Sequence, residues 1–222
     1  SLYGANLTGA IVTGADLTVG STDFWGIRSG GLVGTPAALP VDWVLANGHL
    51  IGFKADLSDA FLDGVDLSGA NLVSTNLSGA NLMNTNLMAT DENLKQALYD
   101  DSTVFPSGFG ALESSDMFYI GPGADLRNAD LTYQNFAGVD LTGADLRETS
   151  LEGLILTNAI LDDVNLSGNF LGLADLSGVS LSGADLSEST FFDVDLTGAD
   201  LSGANLYRTK LIFTDLTETN LT

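Results

Sequence analysis

An all-β solenoid built from five-residue repeats is the fold class that the sequence predicts, and three observations predict it. Leucine or phenylalanine recurs at every fifth position through most of the 222 residues. A small residue, usually alanine, stands two positions before each of these centres, with aspartate or asparagine between them. A polar residue and then glycine usually follow the centre, so the repeat reads Ala-(Asp/Asn)-Leu-(Ser/Thr)-Gly, as at Ala184-Asp185-Leu186.

The period of five predicts short strands joined by corners. It matches neither the 3.6-residue turn of a helix nor a continuous strand. It fits three extended residues followed by a two-residue corner, for which the polar-Gly pair is suited. Side chains alternate along extended backbone, so leucine and alanine point into a core and Asp or Asn points outward. Each buried leucine contributes about 1.5–3 kcal/mol, which makes a stack of such repeats stable.

The repeats fall into three blocks of one expected solenoid domain. Residues 1–17 hold four repeats, residues 55–89 hold seven, and residues 124–222 hold twenty in an unbroken run. The segments 18–54 and 90–123 break the pattern and contain all four prolines and both tryptophans. Proline cannot donate a hydrogen bond to a ladder, so both segments are expected to be insertions.

The first insertion carries a strong β-hairpin signal. Two apolar runs, 43–46 and 49–51, flank an Asn-Gly pair, which is typical of a type I′ turn. The hairpin residues singled out as candidates are Trp43, Asn47, Gly48 and His49.

The second insertion is expected to contain a short helix over residues 91–99. Thr90 stands at the N-cap position, Asp91 and Glu92 occupy the first turn, and Leu94 and Leu98 share one face. Both insertions share a Leu/Phe-Pro pair followed by an aromatic residue, and both lead into a repeat through Ile-Gly. Either they pack aromatic side chains on the solenoid wall or protect an open coil, or they contact a ligand directly.

The tandem Ala-(Asp/Asn)-Leu-X-X repeats resemble the pentapeptide-repeat family over about 155 of the 222 residues. The resemblance implies a right-handed quadrilateral β-helix with four repeats in each coil. It also implies similarity to many bacterial, notably cyanobacterial, members that carry insertions of this kind.

With four repeats in each coil, residues twenty apart share a face. Two faces then present a candidate acidic ladder, formed by Asp125, Asp145, Asp175, Asp185, Asp195 and Asp215. A third face differs, because its outward column reads Asp130, Ser150, Phe170, Thr190 and Lys210 beside apolar corner residues. This predicts an exposed apolar strip, a feature that usually marks an interface; the alternative is that an insertion folds over it. The strip consists of Tyr133, Phe170, Leu173, Phe192, Ile212 and Phe213.

The sequence offers no catalytic constellation, so no catalytic residue, cofactor or metal site is expected. There is no cysteine, the one histidine is His49, and no Gly-x-Ser-x-Gly elbow is present. The glycines follow the corners and form no phosphate-binding loop. Tight calcium sites need six to eight convergent oxygens, which flat outward ladders do not supply. No apolar run approaches the roughly 20 residues of a membrane span.

A structural or protein-interaction solenoid is therefore the favoured function, with a protein partner or self-association through the strip or the insertions. The formal charge of −22 disfavours nucleic acid and anionic membrane as partners, and no small-molecule substrate is evident. The alternative function is an acidic DNA mimic, because the family resemblance includes proteins that protect type II topoisomerases from quinolones. Salt separates the two hypotheses, since a mimic loses affinity steeply as salt rises and an apolar interface does not.

Overall fold

The computed structural model describes residues 2–18, 24–88, 92–109 and 116–222. The chain divides into two compact units, Ser1–Met117 and Phe118–Thr222. The division leaves the expectation of one solenoid domain as a prediction. The described residues form seven short strands, namely β1 (Val44–Ala46), β2 (His49–Ile51), β3 (Leu98–Tyr99), β4 (Phe118–Tyr119), β5 (Phe170–Gly172), β6 (Thr190–Phe192) and β7 (Lys210–Ile212).

The second unit is a stack of parallel rungs that repeat every twenty residues. Asp125 bridges Asp145, Asp145 bridges Asn165, and the same interval continues on the other faces. The backbone N–H of Leu126 donates to the Asp145 carbonyl over 2.9 Å, and the N–H of Asp145 donates to the Ala124 carbonyl over 2.9 Å. A twenty-residue interval is four repeats of five, as the resemblance to the pentapeptide-repeat family implies.

The core of this unit consists of the repeat centres and the small residues two positions before them. Leu131, Leu171, Leu186 and Phe191 are each 0% exposed, and the alanines and valines of the small position are buried beside them. The predicted inward assignment of the centres is confirmed for these described repeats. Columns of such side chains remove apolar surface from water at every rung, which is the main stabilising contribution of the fold.

The corners are tight turns that place one residue in the left-handed region. The N–H of Ala144 donates to the Leu141 carbonyl over 2.9 Å, with Gly143 at φ 68° between them. Asparagine occupies the same position at Asn158, with φ 56°. Glycine and asparagine adopt this conformation more readily than other residues, which accounts for the glycine that ends so many repeats.

The first unit stacks with a less regular interval. Arg28 bridges both Asn6 and Asp56, Val33 bridges Ile11, and Ala38 bridges Asp16. The segment 18–54, which the sequence led us to expect as an insertion, therefore contributes rungs as well as a hairpin. The repeat pattern fails there because its large and small positions are exchanged around Arg28, with the buried Ile27 before it and the buried Ser29 after it.

The predicted hairpin is present as β1 and β2. The strands are antiparallel, with Leu45 opposite Leu50 and Ala46 opposite His49. Asn47 and Gly48 join them at φ 47° and φ 76°, the two positive values that a type I′ turn requires.

The predicted helix over residues 91–99 is wrong. A single 3₁₀ turn spans Glu92–Leu94, Gln96 has φ 56°, and Leu98 and Tyr99 form β3. A left-handed residue at Gln96 stops a helix at that point. The expected cap Thr90 and first-turn Asp91 lie outside the described residues. Leu94 and Leu98 are buried, so their apolar spacing reflects the core rather than a helix.

Candidate interaction surfaces

The apolar strip lies on the face of the second unit that carries its longest strands. β5, β6 and β7 form a parallel three-stranded sheet in register, with Phe170, Thr190 and Lys210 paired in one column. Gly172, Phe192 and Ile212 pair in the next column, at the position that is the first corner residue in other repeats. The extra strand residue presents Phe192 and Ile212 along the edge of the face.

The side chains of the strip are substantially exposed. Phe170 is 54% exposed and Phe213 is 79% exposed. Leu173, Phe192 and Ile212 are exposed as well. The rings of Phe192 and Phe213 contact edge to face, with centroids 5.6 Å apart. Tyr133 lies earlier on the same face, where its hydroxyl donates to Glu152 Oε1 over 3.2 Å. The predicted strip residues therefore share one face, and their role as an interface stays a prediction.

A polar column, buried at its first three positions and half-buried at the fourth, supports this face from inside. The small position of these repeats holds Thr149, Asn169, Ser189 and Thr209 instead of alanine. Thr149 Oγ1 donates to the Leu126 carbonyl over 3.0 Å, and Thr209 Oγ1 donates to the Leu186 carbonyl over 2.8 Å. Asn169 Nδ2 donates to the Leu146 carbonyl over 2.6 Å. Buried hydrogen bonds of this kind fix the geometry of the corner that precedes the strip.

Two exposed apolar residues near the strip were not singled out from the sequence. Tyr207 and Leu211 are both exposed in the last coil. Leu211 pairs with Phe191 in the sheet, and its column predicted a buried side chain like Phe191. The sequence signal available for Tyr207 was an aromatic residue at a corner position that is usually polar.

The acidic ladder has a structural task. In each of its six residues the carboxylate Oδ1 accepts the backbone N–H two positions later, as Asp195 does from Thr197 over 2.8 Å and Asp215 from Thr217 over 2.9 Å. The same contact is made by Asp125, Asp145, Asp175 and Asp185. A side chain that accepts this bond stabilises the turn, and asparagine supplies the same oxygen. The outward carboxylate is therefore part of how each repeat folds.

Two arginines neutralise part of the ladder. Arg127 Nη2 donates to Asp125 Oδ2 over 2.6 Å and Arg147 Nη2 donates to Asp145 Oδ2 over 2.6 Å. The Arg127 guanidinium lowers the pKa of the Asp125 carboxyl from 3.8 to about 2. Arg147 lowers the pKa of Asp145 in the same way. Hydrogen bonds from Ser187 and Thr217 lower the pKa of Asp185 and of Asp215.

One face keeps three carboxylates in successive rungs without a basic partner among the described residues. Asp175 bridges Asp195, and Asp195 bridges Asp215. Partial burial raises the pKa of Asp175, but hydrogen bonds from Ser177 and Thr157 outweigh it and lower the pKa overall. The three side chains form a negative column at the spacing of about 4.8 Å between strands.

The hairpin residues hold the first unit together. His49 Nδ1 lies 2.7 Å from the Ser29 carbonyl oxygen, and the Leu50 N–H donates to Ser29 Oγ over 2.8 Å. Asn47 Nδ2 donates to the Phe61 carbonyl over 3.3 Å, and Trp43 is buried in the core. Gly48 lies so close to the backbone of Gly31 that a Cβ there would come within 3.0 Å of it. The hairpin is packed against a coil through these four residues.

Within the described ranges, no group of three or more histidine, cysteine, aspartate or glutamate side chains is placed to hold a metal ion. Nor does any helix in those ranges have the length and apolarity needed to cross a membrane.

These features define a β-rich solenoid of five-residue repeats with outward acids and an apolar face. The pentapeptide-repeat family model matches residues 53–87, 124–163, 159–198 and 184–222, in eight copies. The chain belongs to the pentapeptide-repeat family.

Several solved structures are similar to the chain. HetL, a pentapeptide-repeat protein involved in heterocyst differentiation regulation in the cyanobacterium Nostoc, is 30% identical over 96% of this chain and 86% of its own, with a TM-score of 0.45. A pentapeptide-repeat protein from the thylakoid lumen of Arabidopsis thaliana is 29% identical over 43% of this chain and 63% of its own, with a TM-score of 0.30. QnrB1, a plasmid-mediated fluoroquinolone resistance protein, is 20% identical over 98% of this chain and 89% of its own, with a TM-score of 0.40. No curated protein matches the chain.

Proposed function

We propose that the chain is a non-enzymatic interaction solenoid that binds a protein partner, or a second copy of itself, through the apolar strip. The observation that carries the proposal is the exposure of Phe170 and Phe213 on a hydrogen-bonded parallel sheet. Contiguous apolar surface of this kind is costly in water and is relieved by a partner. The insertion hairpin is a weaker candidate surface, because its Trp43 and Leu50 side chains are buried in the core of its own unit.

The proposal includes a right-handed quadrilateral β-helix as the architecture of each unit. Its support is the twenty-residue interval between bridged residues such as Asp145 and Asn165, which corresponds to four repeats in each coil. Absence of catalysis is also part of the proposal. Its support is the position of His49, whose Nδ1 contacts a backbone carbonyl in the packed hairpin.

The strip is tested with Phe192→Ser and Phe213→Ser, alone and combined. Phe61→Ser is the matched control, since Phe61 is also an exposed ring, 60% exposed, but lies in the first unit. Sedimentation velocity is run at low and high salt. Dimers that survive high salt in the wild type and in Phe61→Ser, but not in the strip variants, identify self-association.

A wild-type monomer at every salt concentration directs the test to a partner. Cross-linking followed by mass spectrometry should then identify a complex that the wild type and Phe61→Ser form and the strip variants lose. If the strip variants keep every complex and every dimer, the strip is not the binding surface.

DNA mimicry remains the second candidate, and the column of Asp175, Asp195 and Asp215 favours it. Replacing all three with asparagine keeps the acceptor for each turn and removes three charges. A mimic should bind a basic DNA-binding protein, such as a type II topoisomerase, and lose that binding in the triple variant and at high salt. If neither the triple variant nor high salt weakens the binding, DNA mimicry is contradicted.

A further inference from the structure

A notch interrupts the outward column of the face that carries the strip. The column runs from Asp130 through Ser150 to Phe170, and Asp130 bridges Ser150 directly. The serine side chain is short, so the surface dips between its two larger neighbours. The resulting cavity has a volume of about 300 Å³ and is lined by Thr132, Thr149, Ser150, Leu151, Glu152 and Phe170. That volume is at the lower end of the range of roughly 300–1,000 Å³ for ligand pockets, and suits one side chain.

Two aromatic rings are positioned at the notch by glycines. The Tyr133 ring lies over Gly153, where an added Cβ would come within 2.3 Å of it. The Phe170 ring lies over Gly172, where an added Cβ would come within 2.8 Å of it. Any larger residue at either glycine would displace the ring beside it. The surroundings of the notch therefore depend on two glycines that lie one and two positions after its lining residues Glu152 and Phe170.

The walls differ in chemistry. On one side the Glu152 carboxylate is exposed, and the Tyr133 hydroxyl donates to its Oε1. The ring of Phe170, which is 54% exposed, lines the same cavity. Thr132 and Ser150 also line the cavity. A carboxylate and an aromatic ring that line one cavity suit a planar cation, which can pair with the acid and stack on the ring.

The basic residues nearest the notch are engaged elsewhere or too far along the column. Arg127 and Arg147 are bound to Asp125 and Asp145 on a neighbouring face. Lys210 is three rungs from Ser150 on the same column, a distance of about 14 Å at 4.8 Å per rung. The cation must therefore come from another molecule, and the formal charge of −22 attracts a basic partner.

We propose that the Ser150 notch is a socket for an arginine side chain presented by a protein partner. The guanidinium stacks on Phe170 and pairs with Glu152, while flanking apolar residues of the partner cover the strip. The arginine socket does not depend on the proposed function; only the statement that the partner also covers the strip rests on it. An arginine bound in the socket would fix the orientation of the partner on the strip, which apolar contacts alone do not fix.

The socket is tested on the full chain with a blocked peptide, acetyl-Ala-Arg-Ala-amide. Its citrulline counterpart has nearly the same shape and no charge. Amide chemical shifts are followed by NMR at Ser150, Gly153 and Gly172. We expect saturable shifts at these amides with the arginine peptide at millimolar concentration, and about three- to tenfold weaker binding of the citrulline peptide.

Two variants locate the site. Glu152→Gln keeps an oxygen for the Tyr133 hydroxyl and should abolish the preference for arginine over citrulline. Glu218→Gln removes the same charge in the last coil and should leave it intact. Equal binding of the two peptides, an unchanged preference in Glu152→Gln, shifts spread evenly along the aspartate columns, or no saturable shift would each overturn the socket.

The outcomes separate the socket from the function of the strip. Phe213 does not line the notch, so Phe213→Ser should not change peptide binding. If the socket fails while Phe192→Ser and Phe213→Ser still disrupt a partner complex or a dimer, the strip stands without the socket. If arginine binds at the notch and no complex depends on the strip, the socket stands without the proposed function. Binding of a second copy through its own Arg208 would appear as Glu152-dependent dimers.

Discussion

The ammonium of Lys54 lies over the indole ring of Trp25, with 4.5 Å between Nζ and the ring centroid. Lys54 is only 1% exposed, and the ring of Phe53 stands 5.8 Å from the same nitrogen. A buried ammonium loses its hydration, which the faces of aromatic rings replace in part. The contact joins residues that are 29 positions apart, on either side of the hairpin.

Removing the ring should cost more than removing the charge. Trp25→Leu leaves a buried cation with less compensation, whereas Lys54→Met keeps the apolar stem and removes the charge. We expect the double variant to recover about 2 kcal/mol relative to the sum of the two single variants. Urea unfolding of the first unit, followed by circular dichroism because Trp25 is itself replaced, measures the four free energies. Additive effects would show that the ring and the ammonium are not coupled.

Leu186→Asp should disrupt the second unit. Leu186 is 0% exposed in a column of repeat centres, so the new carboxylate would be buried without a partner. We expect a loss of at least 3–5 kcal/mol or local unfolding. Asn165→Asp is the control, because its Oδ1 already accepts from Ser167 and faces outward. An unchanged melting temperature in Leu186→Asp would refute the inward assignment.

The second unit should lose stability in acid between pH 3.8 and about 2. The folded pKa of Asp125 is lowered from 3.8 to about 2, mainly by its hydrogen bond to Arg127. The unfolded chain therefore binds a proton first as pH falls, and the contribution of Asp125 is complete above pH 3.8 and lost through this window. The lowered pKa values of Asp145, Asp185 and Asp215 act with the same sign.

Arg127→Gln tests this origin of acid sensitivity. The variant keeps a donor near Asp125 but removes the charge, so stability should fall less across the window. Lys210→Gln removes a positive charge from the same unit and, among the described residues, breaks no ion pair with Asp125 or Asp145. Urea midpoints against pH, by circular dichroism, should be flatter for Arg127→Gln than for Lys210→Gln. Identical pH profiles would assign the loss to other carboxyls.

Asp56 should show the opposite pH dependence. Its side chain is 0% exposed, its Oδ2 has no hydrogen-bond partner, and Arg28 Nη1 stands 3.7 Å away. Burial raises the pKa of Asp56, and hydrogen bonds from Ser58 and the Arg28 charge oppose the rise only in part. The ionised form is therefore unfavourable in the folded state, and its cost appears as pH rises above 3.8 through the folded pKa.

Asp56→Asn should stabilise the first unit at neutral pH. The amide keeps the acceptor for Ser58 and removes a buried charge that the ion pair with Arg28 at 3.7 Å compensates only in part, so we expect a gain of about 1–3 kcal/mol. The gain should shrink as pH falls and the wild-type carboxyl takes up its proton. Asp59→Asn changes an exposed acid near the same arginine and should be close to neutral. Tryptophan fluorescence of Trp25 and Trp43 follows this unit, and destabilisation by Asp56→Asn would mean that the Arg28 pair outweighs burial.

The regular part of the fold follows directly from the sequence because the period states which side chain points where. Leu186 and Phe191 are buried, Asp195 faces out, and Phe170 is exposed where the outward column predicted it. The rung at Arg28 escaped this reasoning, because its buried neighbours Ile27 and Ser29 exchange the large and small positions. A search for a five-residue period recognises a repeat only when the small residue comes before the outward residue and the large residue comes after it.

Other features depend on tertiary contacts that no local sequence pattern predicts. The helix predicted from Leu94 and Leu98 failed because Gln96 is left-handed, a backbone choice made by the surrounding coil. The short side chain of Ser150 could be read from the sequence, but the positions of the rings over Gly153 and Gly172 beside the notch could not, because each ring's direction is a tertiary property. The contact between Trp25 and Lys54 joins positions on opposite sides of the hairpin, so no local pattern marks it.

The hydrogen bond from each turn to the outward side chain has a consequence for how such a chain changes over time. Asp and Asn offer the turn the same acceptor oxygen, as Asp185 and Asn205 do on one column. Exchanging one for the other alters the charge by one unit and leaves the fold in place. The surface charge of such a solenoid can therefore change while its core stays the same. Selection for solubility or for a binding partner can act on that charge alone.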